Sequence, residues 1–188
     1  MIPKKLGALV MLAIFFTSMS AFAEEGEWIK LIHEAQKKYN YGLYDQAEEL
    51  DTKALELADK EGDPKQVHVA VTLNNLGMVL KAKRQYMQAE LLFKRALEIS
   101  ERTYGPNSVL ITADLTNLAF LYMEQGQYET AEPYFKRPLE ICEKAFPQGN
   151  SETLGYMSNL AYFYRKAHRT QEAEEIEKRL ASIRSVNK

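Results

Sequence analysis

Self-similarity at a fixed offset of 42 residues constrains this chain more than any other property of its sequence. Asn75-Leu76 is answered by Asn117-Leu118 and again by Asn159-Leu160, within "LNNLG", "LTNLA" and "MSNLA". Gly77, Ala119 and Ala161 share one column, which Ala35 extends backwards. Tyr44, Tyr86 and Tyr128 share another, broken by Thr170. Ala47-Glu48, Ala89-Glu90, Ala131-Glu132 and Ala173-Glu174 form a third that runs unbroken through four copies. "FKRALEIS" at 93–100 returns as "FKRPLEIC" at 135–142.

Each copy reads as two helices. Leu73, Leu76, Gly77 and Leu80 fall at i, i+3, i+4 and i+7, which is one apolar face of an α-helix. A short turn follows near 82–85 or 124–127, where Gly126 can close the helix. The second helix carries Tyr86, Ala89, Leu92, Phe93, Ala96, Leu97 and Ser100 on its inner side. Polar breaks at 61–64, 104–108 and 147–151 combine Gly and Pro with Asp, Asn or Ser, residues that stop one helix and cap the next. Small residues at 77 and 89 predict a close crossing of the two helices, with Leu and aromatics filling the flanks.

These columns resemble the tetratricopeptide repeat over about residues 28–188. Leu76, Gly77, Tyr86, Ala89, Phe93 and Ala96 meet its pattern, as do Leu118, Ala119, Tyr122, Tyr128, Ala131 and Phe135. The ordinary repeat of that family is 34 residues long. The longer period and the phrase "KRALEISERTYGPNS" look like the kinesin-light-chain type, with an extended second helix. The resemblance implies an all-α fold, a right-handed superhelical solenoid of antiparallel helix pairs. Repeats are expected at about 28–69, 70–111, 112–153 and 154–188. The outer copies depart from the pattern. Glu34, Lys38 and Asp51 in the first, and Thr170 and Glu177 in the last, stand where the middle copies carry apolar or aromatic residues. Terminal repeats need a polar outer face, so these residues are expected to act as caps. Pro138 replaces the Ala96 equivalent inside a helix and predicts a tolerated kink.

The N-terminus has its own logic. Lys4 and Lys5, an uncharged apolar run, and Ala21 and Ala23 before "EEGE" read as a secretory signal peptide, residues 1–23, cleaved after Ala23. The alternative is an uncleaved membrane anchor. The expectation is therefore an exported protein, periplasmic or secreted, with no membrane span in the mature form. Two lysines leave with the signal, so 22 basic against 26 acidic side chains give the mature chain a charge of −4. That balance offers no electrostatic case for nucleic acid. Cys142, the single cysteine, is either buried and inert or open to intermolecular pairing, and the inert reading is preferred.

No catalytic constellation is visible. His33, His68 and His168 are too scattered for a pair of metal ligands on one helix, and there is no phosphate-binding glycine loop. Glu48/Glu49 and Glu174/Glu175 read as solvated faces of outer helices. No enzymatic activity, metal or cofactor is expected.

The recurring asparagines carry the functional reading. Asn75 lies about 100° around its helix from the buried Leu76 and shares a stripe with Val71, Met78 and Ala82. Ala113, Asn117, Phe120 and Glu124 form the equivalent stripe, as do Gly155, Asn159, Tyr162 and Lys166. Stacked copies align the stripes into one ladder. The resemblance implies that asparagines at this position hydrogen-bond the main chain of a bound peptide. An amide suits that task because it both donates and accepts. Met78, Phe120 and Tyr162 would then shape side-chain pockets. Lys81, Arg165 and Lys166 could face inward and favour an acidic or C-terminal peptide, or they could be solvated helix ends. The alternative to a peptide-binding monomer or weak oligomer is a self-associating scaffold subunit of an envelope or secretion complex. A ladder that only ties neighbouring helices together is the structural alternative for the asparagines.

Overall fold

The computed structural model describes residues 26–61, 66–146 and 150–186, so the expected signal segment at 1–23 lies outside the described residues. Helix α1 covers residues 26–40. It is followed by α2 (Tyr44–Glu61), α3 (Val67–Ala82), α4 (Tyr86–Tyr104), α5 (Thr112–Glu124), α6 (Tyr128–Ala145), α7 (Ser151–Lys166) and α8 (Thr170–Val186). A 3-10 turn at Val109–Ile111 leads into α5, and no strand occurs among the described residues. Helices α2 to α8 pack mainly on their neighbours in sequence, and α3 also touches α5. The result is an all-α solenoid of four helix pairs. Helices α3 and α7 open at Val67 and Ser151, so those pairs begin slightly ahead of the frames expected at 70 and 154. No described helix is long and apolar enough to cross a membrane.

One turn geometry recurs inside every pair. Gly42, Arg84, Gly126 and His168 all take positive φ, at 73°, 60°, 73° and 59°. The next residue's N–H then reaches back five residues, from Leu43 to the Lys38 carbonyl, Gln85 to Leu80, Gln127 to Tyr122 and Arg169 to Tyr164. This is the left-handed helix stop that glycine adopts without steric cost. Copies two and four make the same turn with non-glycine residues. Between pairs, Asn150 caps α7 by accepting from the Thr153 N–H at 2.8 Å.

The small-residue columns are buried as expected. Ala47, Ala89, Ala131 and Ala173 are fully enclosed. Gly77 presses against the Phe93 ring, so the glycine makes room for an aromatic from the facing helix. Phe135 continues the same layer, stacked on Phe163 at 4.8 Å and edge-on to Phe120 at 5.1 Å. Pro138 does not end its helix. α6 runs through both Pro133 and Pro138, and Pro138 is buried. Cys142 is a buried free thiol whose pKa is raised by that burial, aided by the Glu152 charge.

Two expectations are corrected. Asp51 is no polar outer cap: only 1% of its surface is exposed, in the layer where Phe93 and Phe135 stand in later copies. It sits in the crossing of α1, α2 and α3, beside a small void lined by Gln36, Tyr39 and Asn75. Its Oδ1 has no hydrogen-bond partner, and burial pushes its pKa up to about 7. Nor is Glu48 a solvated side chain. It is half-buried and accepts from Lys83 at 2.7 Å. Its equivalents, Glu90 and Glu132, accept from the Tyr122 and Tyr164 hydroxyls of the following pair. The unbroken Ala-Glu column is therefore a joint between consecutive repeats. Thr170 and Glu177, by contrast, are exposed.

Candidate functional site

Helices α1, α3, α5 and α7 stand side by side, tied by polar contacts that recur at almost the repeat length. The Trp28 ring stacks on His68 at 4.1 Å, and its Nε1 donates to Thr72 Oγ1 at 2.9 Å, joining α1 to α3. The Asn117 amide donates to Asn74 Oδ1 at 3.1 Å, joining α5 to α3. The Tyr156 hydroxyl bonds Thr112 Oγ1 at 2.9 Å, joining α7 to α5. These contacts join the four helices into one continuous wall.

Between α3 and α5 the wall opens into a cavity of about 400 Å³. Val71, Asn75 and Met78 line it from α3, and Ala113, Asp114 and Asn117 from α5. The C-terminal turn of α4, with Ile99, Ser100, Thr103 and Tyr104, and Leu110 from the 3-10 turn close one end. Most of the lining is apolar, with a cluster of amides and one carboxylate. Asp114 is 4% exposed. Its Oδ1 accepts from the Asn74 amide, while its buried Oδ2 has no hydrogen-bond partner. Burial raises the Asp114 pKa. The Ser100 hydroxyl and the Asn74 amide oppose that rise, and the nearby Glu101 charge adds to it.

A family model described as the tetratricopeptide repeat matches residues 40–102, 68–144 and 109–185, which together cover most of the chain. The chain belongs to the tetratricopeptide-repeat family. Among solved structures it resembles BtubC (BKLC) from P. vanneervenii, with 27% identity and a TM-score of 0.73 over 83% of this chain and 62% of that one. The chain thus spans about 62% of the BtubC chain's length. Nearly identical TPR-like repeats of a putative kinesin light chain from Podospora anserina match at 20% identity and TM-score 0.73, over 83% of this chain and 74% of theirs. A single-residue variant of that protein matches at 18% identity and TM-score 0.73, over 97% of this chain and 90% of its own. The repeats are of the kinesin-light-chain-like type, as the 42-residue period implied. No curated protein sequence matches the chain significantly.

Within the tetratricopeptide wall, the stripe residues separate into groups. Asn75, Met78 and Asn117 come together around the α3–α5 cavity. Asn159 is half-buried at the corresponding place on α7, and Tyr162 is 46% exposed one turn further on. Phe120 is half-buried and engaged with Phe135. Lys81 crosses from α3 to pair with Glu124 of α5 at 2.8 Å and sits over the Phe120 ring at 6.0 Å. Arg165 is held against α8 by both carboxylate oxygens of Glu177, at 2.7 and 3.1 Å. Lys166 lies over the Tyr162 ring at 5.5 Å. Two of the three expected cations are thus already paired with carboxylates.

Asn74 and Asp114 were not among the expected site residues, yet they form the polar centre of the cavity. Asn74 held a visible signal, because it doubles the asparagine that the repeat preserves. Asp114 held none, because its burial arises only where α5 meets α3 and α4. No group of three or more His, Cys, Asp or Glu residues that could hold a metal ion occurs among the described residues.

Proposed function

We propose that this protein is an exported, non-enzymatic interaction module that holds an extended segment of a protein partner along the wall of α1, α3, α5 and α7. Tetratricopeptide repeats are generally protein–protein interaction modules, and that coarser statement holds for this chain by membership. The α3–α5 cavity carries the finer reading, because Val71, Asn75, Met78, Ala113 and Asn117 of the repeating stripe all line it. Apolar pockets with a few convergent polar groups are where ligand side chains bury surface and gain orientation. Asn75 and Asn159 make no side-chain hydrogen bond to another described residue, which leaves their amides available to a peptide main chain. Asn117 spends one N–H on Asn74 and keeps its remaining capacity.

Site-specific photo-crosslinking tests this reading in the exporting cell. A photoreactive residue at Met78 should capture a partner that the same residue at the outward-facing Met87 does not. Capture from Met87 alone would overturn the assignment. The exported form should begin at Glu24 on N-terminal sequencing, and an intact Met1 in the membrane fraction refutes cleavage.

A second reading has one observation behind it. Met87 and Leu91, one turn apart on α4, are 82% and 69% exposed. Such a pair would suit a self-associating scaffold. Light scattering on the eluted peak distinguishes the two, since a defined oligomer favours the scaffold and a monomer the wall.

A further inference from the structure

Asp114, in the lining of the α3–α5 cavity, poses a physical problem. A buried carboxyl is costly unless it is paired, fully hydrogen-bonded or protonated. Here one oxygen is bonded by Asn74 and the other makes no hydrogen bond within ordinary geometry, and the Ser100 hydroxyl beside the carboxyl offsets only part of the burial. The charge acting on it from within the protein is Glu101, of the same sign. The cations on and around α3 and α4 are committed elsewhere: Lys81 to Glu124, Arg102 to Gln66 and Arg137 to Glu101 itself at 2.6 Å. A retained proton relieves the burial in the free chain, and a cation entering the cavity would compensate the charged form.

The remaining lining narrows what can enter. Val71, Ala113, Ile99 and Leu110 offer apolar walls to a methylene stem, and Asp114 lines the same cavity. Lys and Arg side chains combine an apolar stem with a charged, donor-only head. We propose that the α3–α5 cavity receives a lysine or arginine side chain of the partner segment, whose head pairs with the Asp114 carboxyl. This rests on the interaction reading above and reverses the acidic-peptide expectation, since Lys81 and Arg165 already have carboxylate partners. Asn75 and Asn117, at the same cavity, would hold the main chain on either side of the inserted residue.

Fluorescence anisotropy with labelled, extended decapeptides tests the proposal. The peptides are identical except for a central residue that is Lys, Arg, norleucine or Glu. Each is titrated against the chain and its Asp114→Asn variant, which keeps the shape of the side chain and removes its charge. The Lys and Arg peptides should bind at least tenfold more tightly than the norleucine peptide, and the Glu peptide most weakly. Asp114→Asn should erase the preference for the Lys and Arg peptides over the norleucine peptide. Circular dichroism checks that the variant is folded. Charge-blind binding, or a preference that survives Asp114→Asn, overturns the cation assignment and leaves the peptide-binding wall intact. Failure of all four peptides to bind overturns both. Binding of free n-pentylamine as tightly as the Lys peptide assigns the cavity to a small amine and overturns the protein-segment proposal.

Discussion

A Cβ at residue 77 would fall 2.6 and 2.8 Å from two carbons of the Phe93 ring, closer than real side chains approach. Phe93 is itself fully buried and has little freedom to yield. Gly77→Ala should therefore destabilise by about 1 to 3 kcal/mol through overpacking. The better helix propensity of alanine, about 1 kcal/mol, offsets only part of this. Urea denaturation reads the result, and an unchanged midpoint would show that Phe93 moves aside. The asparagines divide at the same scale. Asn117→Ala removes the donor to Asn74 and should cost about 1 kcal/mol. Asn159→Ala breaks no bond to a described residue and should leave the melting temperature nearly unchanged. Equal losses from both variants would mean that the ladder ties helices together throughout.

At the scale of the element, the four intra-pair turns offer an internal comparison. They share one hydrogen-bond pattern, yet Gly42 and Gly126 adopt positive φ freely while Arg84 and His168 adopt it against steric resistance. Arg84→Gly and His168→Gly should each stabilise by about 1 kcal/mol. For a chain of this length that is a rise of roughly 2 to 4 °C. Differential scanning calorimetry measures it, and a fall in both variants would show that the side chains contribute more than the backbone strain costs. The Ala-Glu column works between elements. Glu132 gathers Tyr164, Lys136 and Arg169, so α6, α7 and the turn into α8 meet at one carboxylate.

For the whole molecule, the buried and the paired acids pull stability in opposite directions with pH. Asp51 has a folded pKa of about 7 against an ordinary 3.8. The folded chain therefore binds the extra proton between those values, and stability falls as pH rises from about 4 to 7. The full shift corresponds to roughly 4 kcal/mol. Asp114, also raised by burial, adds in the same direction. Glu132 behaves oppositely. Burial raises its pKa, but hydrogen bonds from Arg169 and Lys136 outweigh that and bring it to about 2. Its contribution is present above its ordinary 4.5 and is lost as pH falls toward 2, although solvent screening keeps it small. Stability should thus be greatest at about pH 4 to 5 and decline on both sides. Denaturant midpoints measured from pH 3 to 8 check this. Asp51→Asn should flatten the decline on the neutral side, and an unaltered slope would remove Asp51 as its source.

The sequence by itself determined the unit and its repetition. Leu76, Gly77, Ala89 and Phe93 declare helix faces through spacings of three and four residues, and the 42-residue columns require those faces to stack. Such signals are local, since each copy carries its own pattern. What the tertiary structure decided lies between copies. Asp51 and Glu177 occupy equivalent columns, yet one is enclosed by α1 and α3 and the other is exposed at the last pair. Asn74 and Asp114 are 40 residues apart and meet because α5 lies against α3. A periodic pattern fixes which way a side chain faces. Whether that face meets a ring, a carboxylate or water depends on the neighbouring repeat, and packing alone supplies the neighbour.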